Sequence, residues 1–148
     1  MISLPTTHRS PDVGLALRRA HYAFRFALEA KLRPLQLSLS QASLLFNLFQ
    51  EDGLSSAEIA RREGVTAQTM NQVVAGAVER GLVERRPHSS HGRIITLHIT
   101  RAGKRAMTQA LHLGGGLEAR MLEGFTAIDR RRLLRDLERC ADALCADA

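Results

Sequence analysis

The stretch "SSAEIARREGVTAQTMNQVVAGAVERG", residues 55–81, packs two helix starts and two helix stops into 27 positions. Ser55 followed by Glu58 is a capping box, Ile59 and Ala60 supply an apolar contact, and Gly64 ends a helix of about two turns. Thr66 then caps a second helix at once. On it, Met70, Val73, Val74, Ala77 and Val78 fall at the spacing of one buried face, while Ala67, Gln68, Asn71, Gln72 and Ala75 occupy the other. That outer face is small or amide-bearing and carries no bulk to hinder close approach. Two short capped helices joined by a glycine turn fit a helix-turn-helix, whose second helix enters the major groove of DNA. A helical hairpin within a bundle is the competing interpretation.

The next residues narrow the choice. In "LVERRPHSSHGRIITLHIT", Leu82 to Arg86 is short and β-capable, Pro87 to Gly92 has turn composition, and Ile95, Leu97 and Ile99 alternate with Thr96 and His98. This is a β-hairpin, the wing of a winged helix. Around it, Asp12 to Leu32 predicts a long first helix with Leu17, Phe24, Leu28 and Leu32 on one side, stopped by Pro34. Ser38 and Gln41 predict the cap of a second helix, with Leu44, Leu45, Leu48 and Phe49 as its buried stripe and an end near Gly53. Thr100 caps a fifth helix and Thr126 a sixth, Asp129 favouring the positive end of its dipole. The sixth repeats apolar residues at Leu133, Leu134, Leu137, Ala141 and Leu144, a stripe that suits a core or a partner helix equally. Gly114 to Gly116 interrupt the fifth helix at about 1 kcal/mol per glycine, which predicts a bend, a break or very close packing. The fold class is mainly α with a small β-hairpin wing, in one domain over residues 1–148.

Charge places the partner. The chain has a net charge of +6, and Arg80, Arg85, Arg86, Arg93, Arg101, Lys104 and Arg105 against the single acid Glu84 account for all of it. The excess surrounds the wing, which favours a polyanion such as nucleic acid. Five Phe, one Tyr and no Trp argue against a stacking platform for single strands. Cys140 and Cys145 form no metal or disulfide pattern and point to different faces of a helix, which suits small helix residues in a dimer core, with a redox switch between subunits as the alternative. His88, His91 and His98 lie on a turn and a strand with no carboxylate or Cys beside them, so solvated or phosphate-contacting histidines are expected rather than a metal site. No phosphate loop, paired acids or nucleophile-base spacing appears, so neither an enzyme nor a cofactor is expected. Without a secretory leader pattern or an apolar run long enough to span a bilayer, the chain reads as cytoplasmic with no membrane partner.

In order and spacing, "LQLSLSQASLLFNL", "SSAEIARREGVTAQTMNQVVAGAVERGLVERRP" and "GRIITLHITRAGKRAM" resemble the MarR family of winged helix-turn-helix transcriptional regulators over residues 12–146. Ile99, Thr100 and Gly103 stand where that family has Leu-Thr-x-x-Gly. The resemblance implies an obligate homodimer, with residues 12–34 and 106–146 as interlocking dimerisation helices and residues 35–105 as the DNA-binding region. It further implies a regulator, expected to be a repressor, that binds a pseudo-palindromic double-stranded operator and leaves it when a small aromatic or anionic effector enters a cleft. Arg93 takes the place of the family's minor-groove arginine, but His91 stands where an acidic brace is usual. Gln72, Ala75 and Gly76 occupy positions often charged in the family, which shifts phosphate anchoring to Arg85, Arg86 and the wing and leaves amide readout by Gln68, Asn71 and Gln72 to favour adenine. The candidate DNA contacts are Ser55, Thr66, Gln68, Thr69, Asn71, Gln72, Arg85, Arg86, His91 and Arg93. The candidate ligand residues are His21, Tyr22, Arg25, Phe46, Phe49 and His112, with packing the preferred role of the aromatics. The absence of Trp speaks against the urate-responsive members, and the absence of Cys from the first helix against the peroxide sensors. A winged-helix module that binds protein without operator specificity is the alternative, separable by the salt dependence of DNA binding.

Overall fold

The computed structural model describes residues 12–87 and 94–145. Along the chain run α1 (Val13–Leu32), a 3-10 turn (Arg33–Leu35), α2 (Leu39–Gln50), α3 (Ser56–Glu63), α4 (Ala67–Glu79), β1 (Val83–Pro87), β2 (Ile95–Ile99), α5 (Arg101–Met121) and α6 (Ala127–Cys145). Residues divide into two compact units, Met1–Gly114 and Gly115–Ala148.

In the first unit every expected cap is present. Ser38 and Ser55 each accept from the amide three residues on, and Gln41 and Glu58 reach back to the cap amides. Gly64 closes α3 in the left-handed region at φ 62°, which L side chains rarely adopt. Thr66 accepts from the Thr69 amide at 3.1 Å and starts α4. The strands β1 and β2 pair antiparallel with Val83 opposite Ile99 and Arg86 opposite Thr96. Pro87, expected in the turn, ends β1 opposite Ile95; lacking an N–H, it fits a strand only at such an end.

The core gathers Leu32, Leu44, Leu45 and Leu48 with Ile59, Met70, Val74, Ala77, Val83, Leu97 and Ile99. Three expectations need correction. Phe49 is 43% exposed rather than buried, because it lies at the edge of the arc that Leu44, Leu45 and Leu48 bury. Helix α2 stops at Gln50 instead of near Gly53, because the chain leaves it to pair with the wing: the Gly53 amide donates to the Leu97 carbonyl at 3.0 Å, and the Leu97 amide to that of Leu54 at 2.8 Å. On β2, Ile95 is exposed and Thr96 is buried, opposite to a simple alternation. Thr96 is covered because its hydroxyl donates to the Arg86 carbonyl at 3.1 Å, while Ile95 projects beyond the end of the core.

Thr100 joins strand to helix. Its hydroxyl accepts from the Gly103 amide at 3.0 Å and donates to the Gly81 carbonyl at 2.7 Å. A Cβ at Gly103 would sit 2.2 Å from the Leu82 carbonyl oxygen, so the helix can approach the strand this closely only with glycine there.

In the second unit, Thr126 and Asp129 form a reciprocal cap, the Thr126 hydroxyl accepting from the Asp129 amide at 3.2 Å and donating to Asp129 Oδ2 at 2.6 Å. The Thr126 hydroxyl and the Thr126 amide, which donates to the same oxygen at 3.0 Å, hold the Asp129 carboxyl below its ordinary range. The Arg130 guanidinium donates to the Leu122 carbonyl at 3.1 Å. Helix α5 continues through Gly114 to Gly116 without a break, and a Cβ at any of the three would meet no atom within 4 Å among the described residues. The triple glycine therefore neither breaks the helix nor marks close packing within the described chain.

Candidate nucleic-acid interface

Helix α3 is the platform for α4, and polar ties hold it to α2. The Asn47 amide donates to Glu63 Oε1 at 2.7 Å, the Ser43 hydroxyl donates to the same carboxylate, and Arg62 pairs with Glu51 at 2.6 Å. Burying Met70, Val74 and Ala77 turns the other side of α4 outward, so Gln68, Thr69, Asn71 and Gln72 are exposed together with Ala67 and Ala75. Gln68, Asn71, Gln72 and Ala75 share an arc of roughly 100° at the helical period. From Gln68 to Ala75 no charged side chain lies in it; Glu79, in the last turn of α4, falls on the same arc. Amides on such a surface can pair with adenine N6 and N7, and methyl groups can pack on thymine.

The other candidates divide. Ser55 spends its hydroxyl inside the chain, donating to Glu58 Oε2 at 2.7 Å and accepting from the Glu58 amide. The Ser55 hydroxyl and the Ser55 amide, which donates to the same oxygen at 2.7 Å, hold the Glu58 carboxyl below its ordinary range. Thr66 and Thr69 are exposed with their hydroxyls 2.9 Å apart. Arg85 is exposed on β1 with no ion pair among the described residues, whereas Arg86 pairs with Glu84. His91 and Arg93, with His88, lie outside the described residues.

Two basic or titratable residues expected to serve a polyanion do something else. Arg80 stays at the surface and reaches across it, donating to the Gln36 and Leu35 carbonyls at 2.5 and 3.2 Å and to Gln41 Oε1 at 3.0 Å. It thereby fixes the left-handed Gln36, φ 55°, that links α1 to α2. His98 is neither solvated nor available to phosphate: Nδ1 lies 2.7 Å from Asp52 Oδ2 and Nε2 3.0 Å from Thr96 Oγ1. Burial would raise the Asp52 carboxyl, but hydrogen bonds from His98 and the Ile99 amide outweigh it and leave the group below its ordinary range. Asp52 was not legible as a partner because it precedes His98 by 46 residues.

The candidate ligand residues lie on α1, α2 and α5 within the first unit. The His21 and Tyr22 rings meet edge to face at 5.8 Å, and Arg25 pairs with Glu29 at 3.2 Å. Tyr22, Phe46 and Phe49 are exposed, so the expected packing of these aromatics is not made within the chain. His112 is exposed on α5. Two surface depressions among the described residues lie within residues 115–137 and include none of the six. Cys140 is exposed in the single chain.

An uncharged, outward helix face seated on a second capped helix, with a basic hairpin hydrogen-bonded beside it, defines a winged helix-turn-helix. The sequence profile of the MarR family matches residues 35–94, and the chain is 35% identical over 127 residues to the HTH-type transcriptional repressor Rv2887 of Mycobacterium tuberculosis, covering 86% of this chain and 91% of that one. The chain belongs to the MarR family. The crystal structure of Rv2887 with DNA superposes with a TM-score of 0.76 at 33% identity, covering 88% of this chain and 98% of that one. The same protein with salicylic acid gives a TM-score of 0.72 at 34% identity over 89% and 98% of the two chains. Among the described residues, no helix is long and apolar enough to cross a membrane.

Proposed function

We propose that this protein is a dimeric, sequence-specific transcriptional repressor that reads double-stranded DNA with α4 and leaves its operator when a small aromatic acid binds. The observation that carries this reading is the exposed face of Gln68, Asn71, Gln72 and Ala75, together with Arg85, exposed and without an ion pair among the described residues. Amides supply base readout and arginine supplies phosphate anchoring, the two halves of a specific DNA contact. Arg93 enters the adjacent minor groove in this reading, with Arg86, His91, Thr66 and Thr69 on the backbone. Ser55 contributes through the cap that positions α3.

Similarity to Rv2887, solved with DNA and with salicylic acid, supports both the target and the effector class. The exposed Tyr22, Phe46 and Phe49 with Arg25 suit an aromatic carboxylate. Residues 12–34 and 106–146 form the dimerisation region; the exposed Val13, Leu17 and Phe26 of α1 and Ile128, Leu134 and Leu144 of α6 offer apolar surface to a second copy. Two recognition helices about one turn of DNA apart then double the contacts. The protein acts in the cytoplasm, where its operator lies, and catalyses no reaction.

Selection of duplexes from a random library by the purified protein, followed by mobility shift with and without salicylic acid, tests this reading. A recurrent inverted repeat that salicylic acid releases is expected. Binding without sequence preference would instead favour a protein-interaction module.

A further inference from the structure

Three side chains fasten the wing to the body of the first unit. Asp52, just after α2, accepts from the Ile99 amide at 2.9 Å through Oδ1 and faces His98 Nδ1 at 2.7 Å through Oδ2. Across the ring, Nε2 faces Thr96 Oγ1 at 3.0 Å, and that hydroxyl is 3.1 Å from the Arg86 carbonyl. The series therefore runs from the end of α2 through β2 to β1. Gly53, at φ 88°, lies flat against the imidazole: a Cβ there would be 3.4 Å from His98 Cε1.

Counting hydrogens shows that only one charge state of the ring satisfies every contact. The Arg86 carbonyl and the Asp52 carboxylate only accept, and Thr96 has one hydroxyl hydrogen. A neutral ring protonated on Nδ1 serves Asp52, but Nε2 and the Arg86 carbonyl then compete for that hydrogen. A neutral ring protonated on Nε2 frees the Thr96 hydrogen for Arg86 but turns a lone pair toward the carboxylate. The imidazolium donates from both nitrogens, to Asp52 and to Thr96, and Thr96 donates to Arg86.

We infer that Asp52, His98 and Thr96 form a proton-dependent latch that positions the wing for DNA, closed when His98 is protonated and short of one hydrogen bond when it is neutral. This rests on the DNA-binding reading above. His98, Asp52 and Thr96 are positioning residues. The charged groups around the ring leave the role to Asp52: Glu84, opposite His98 on β1, is paired with Arg86, and Glu51 is paired with Arg62. Lys104, on α5, acts on the Asp52 carboxylate and favours its charged form.

The test compares wild type with His98→Asn, which keeps a donor at the Nδ1 position, and Thr96→Val, which keeps the imidazole charge but removes the hydroxyl. Thermal unfolding without DNA is followed between about pH 5 and about pH 8, the interval in which imidazoles change charge. Relative to His98→Asn, wild type should gain about fivefold in its folding equilibrium on acidification, the worth of one hydrogen bond. Thr96→Val should lose most of that gain. A wild-type profile parallel to that of His98→Asn overturns the latch, and so does a full gain in Thr96→Val, which would reduce it to attraction between Asp52 and a charged ring. Affinity for a duplex selected from a random library, at fixed salt, should rise about fivefold on acidification in wild type over His98→Asn. An equal rise in both overturns the role in positioning the wing. Failure of wild type to select any duplex refutes the DNA-binding reading, while unfolding without DNA still decides the latch.

Discussion

Replacing Gly103 with alanine should destabilise the protein, although alanine is the better helix former by about 1 kcal/mol. The new Cβ would meet the Leu82 carbonyl oxygen at 2.2 Å and Ile99 Cγ1 at 2.8 Å. Ordinary contact begins near 3.4 Å, so helix and strand must separate by about 1 Å, a strain of the kind that costs about 1–3 kcal/mol. The same carbonyl accepts from the Thr100 amide at 3.1 Å. Displacing it threatens a hydrogen bond worth about 1 kcal/mol. After the gain in helix propensity, the net loss is about 1–3 kcal/mol. At about 3 °C per kcal/mol for a chain of this size, the midpoint should fall by about 3–9 °C. Calorimetry at one fixed protein concentration measures this, since dimerisation makes the midpoint concentration-dependent. A midpoint at or above that of wild type would mean that helix propensity governs the position and that the contact with Leu82 has been misjudged.

Arg80→Ala should cost about 2 kcal/mol in urea unfolding, because it leaves the Gln36 and Leu35 carbonyls without their donor. Asp52 has a folded pKa below its ordinary 3.8, so its stabilisation is complete above 3.8 and is lost as pH falls through the folded value; Asp52→Asn should therefore flatten acid unfolding in that range, read by circular dichroism. In mobility shifts, Asn71→Ala or Gln72→Ala should relax preference at single A·T pairs by about 1–3 kcal/mol, whereas Arg85→Ala should weaken all duplexes alike.

Local chemistry made most of the fold legible. A cap is written within four residues, so Ser38, Ser55, Thr66, Thr100 and Thr126 mark helix starts directly, and the outer face of α4 follows from what Met70 and Val74 bury. Contacts between distant residues were not legible. Nothing near His98 names Asp52, and nothing near Arg80 names the carbonyls that it serves. Both residues counted toward a polyanion site until their partners were in view. The exposed Phe49 shows a related limit, since a helical stripe gives a direction but not how far around the helix the neighbours reach. At Gly103 the Thr-x-x-Gly spacing was visible, and the reason for it, the Leu82 carbonyl, was not.

The central claim is that an uncharged helix face reads sequence while arginines of the wing hold the phosphates. The most direct test is the salt dependence of affinity for a selected duplex and for its scrambled counterpart, in wild type and in Arg85→Ala. Log affinity should fall linearly with log salt, the selected duplex should bind more tightly throughout, and the slope should be smaller by about 1 unit in Arg85→Ala on both duplexes. Equal affinity for the two duplexes, or a slope unchanged by the substitution, would contradict the claim.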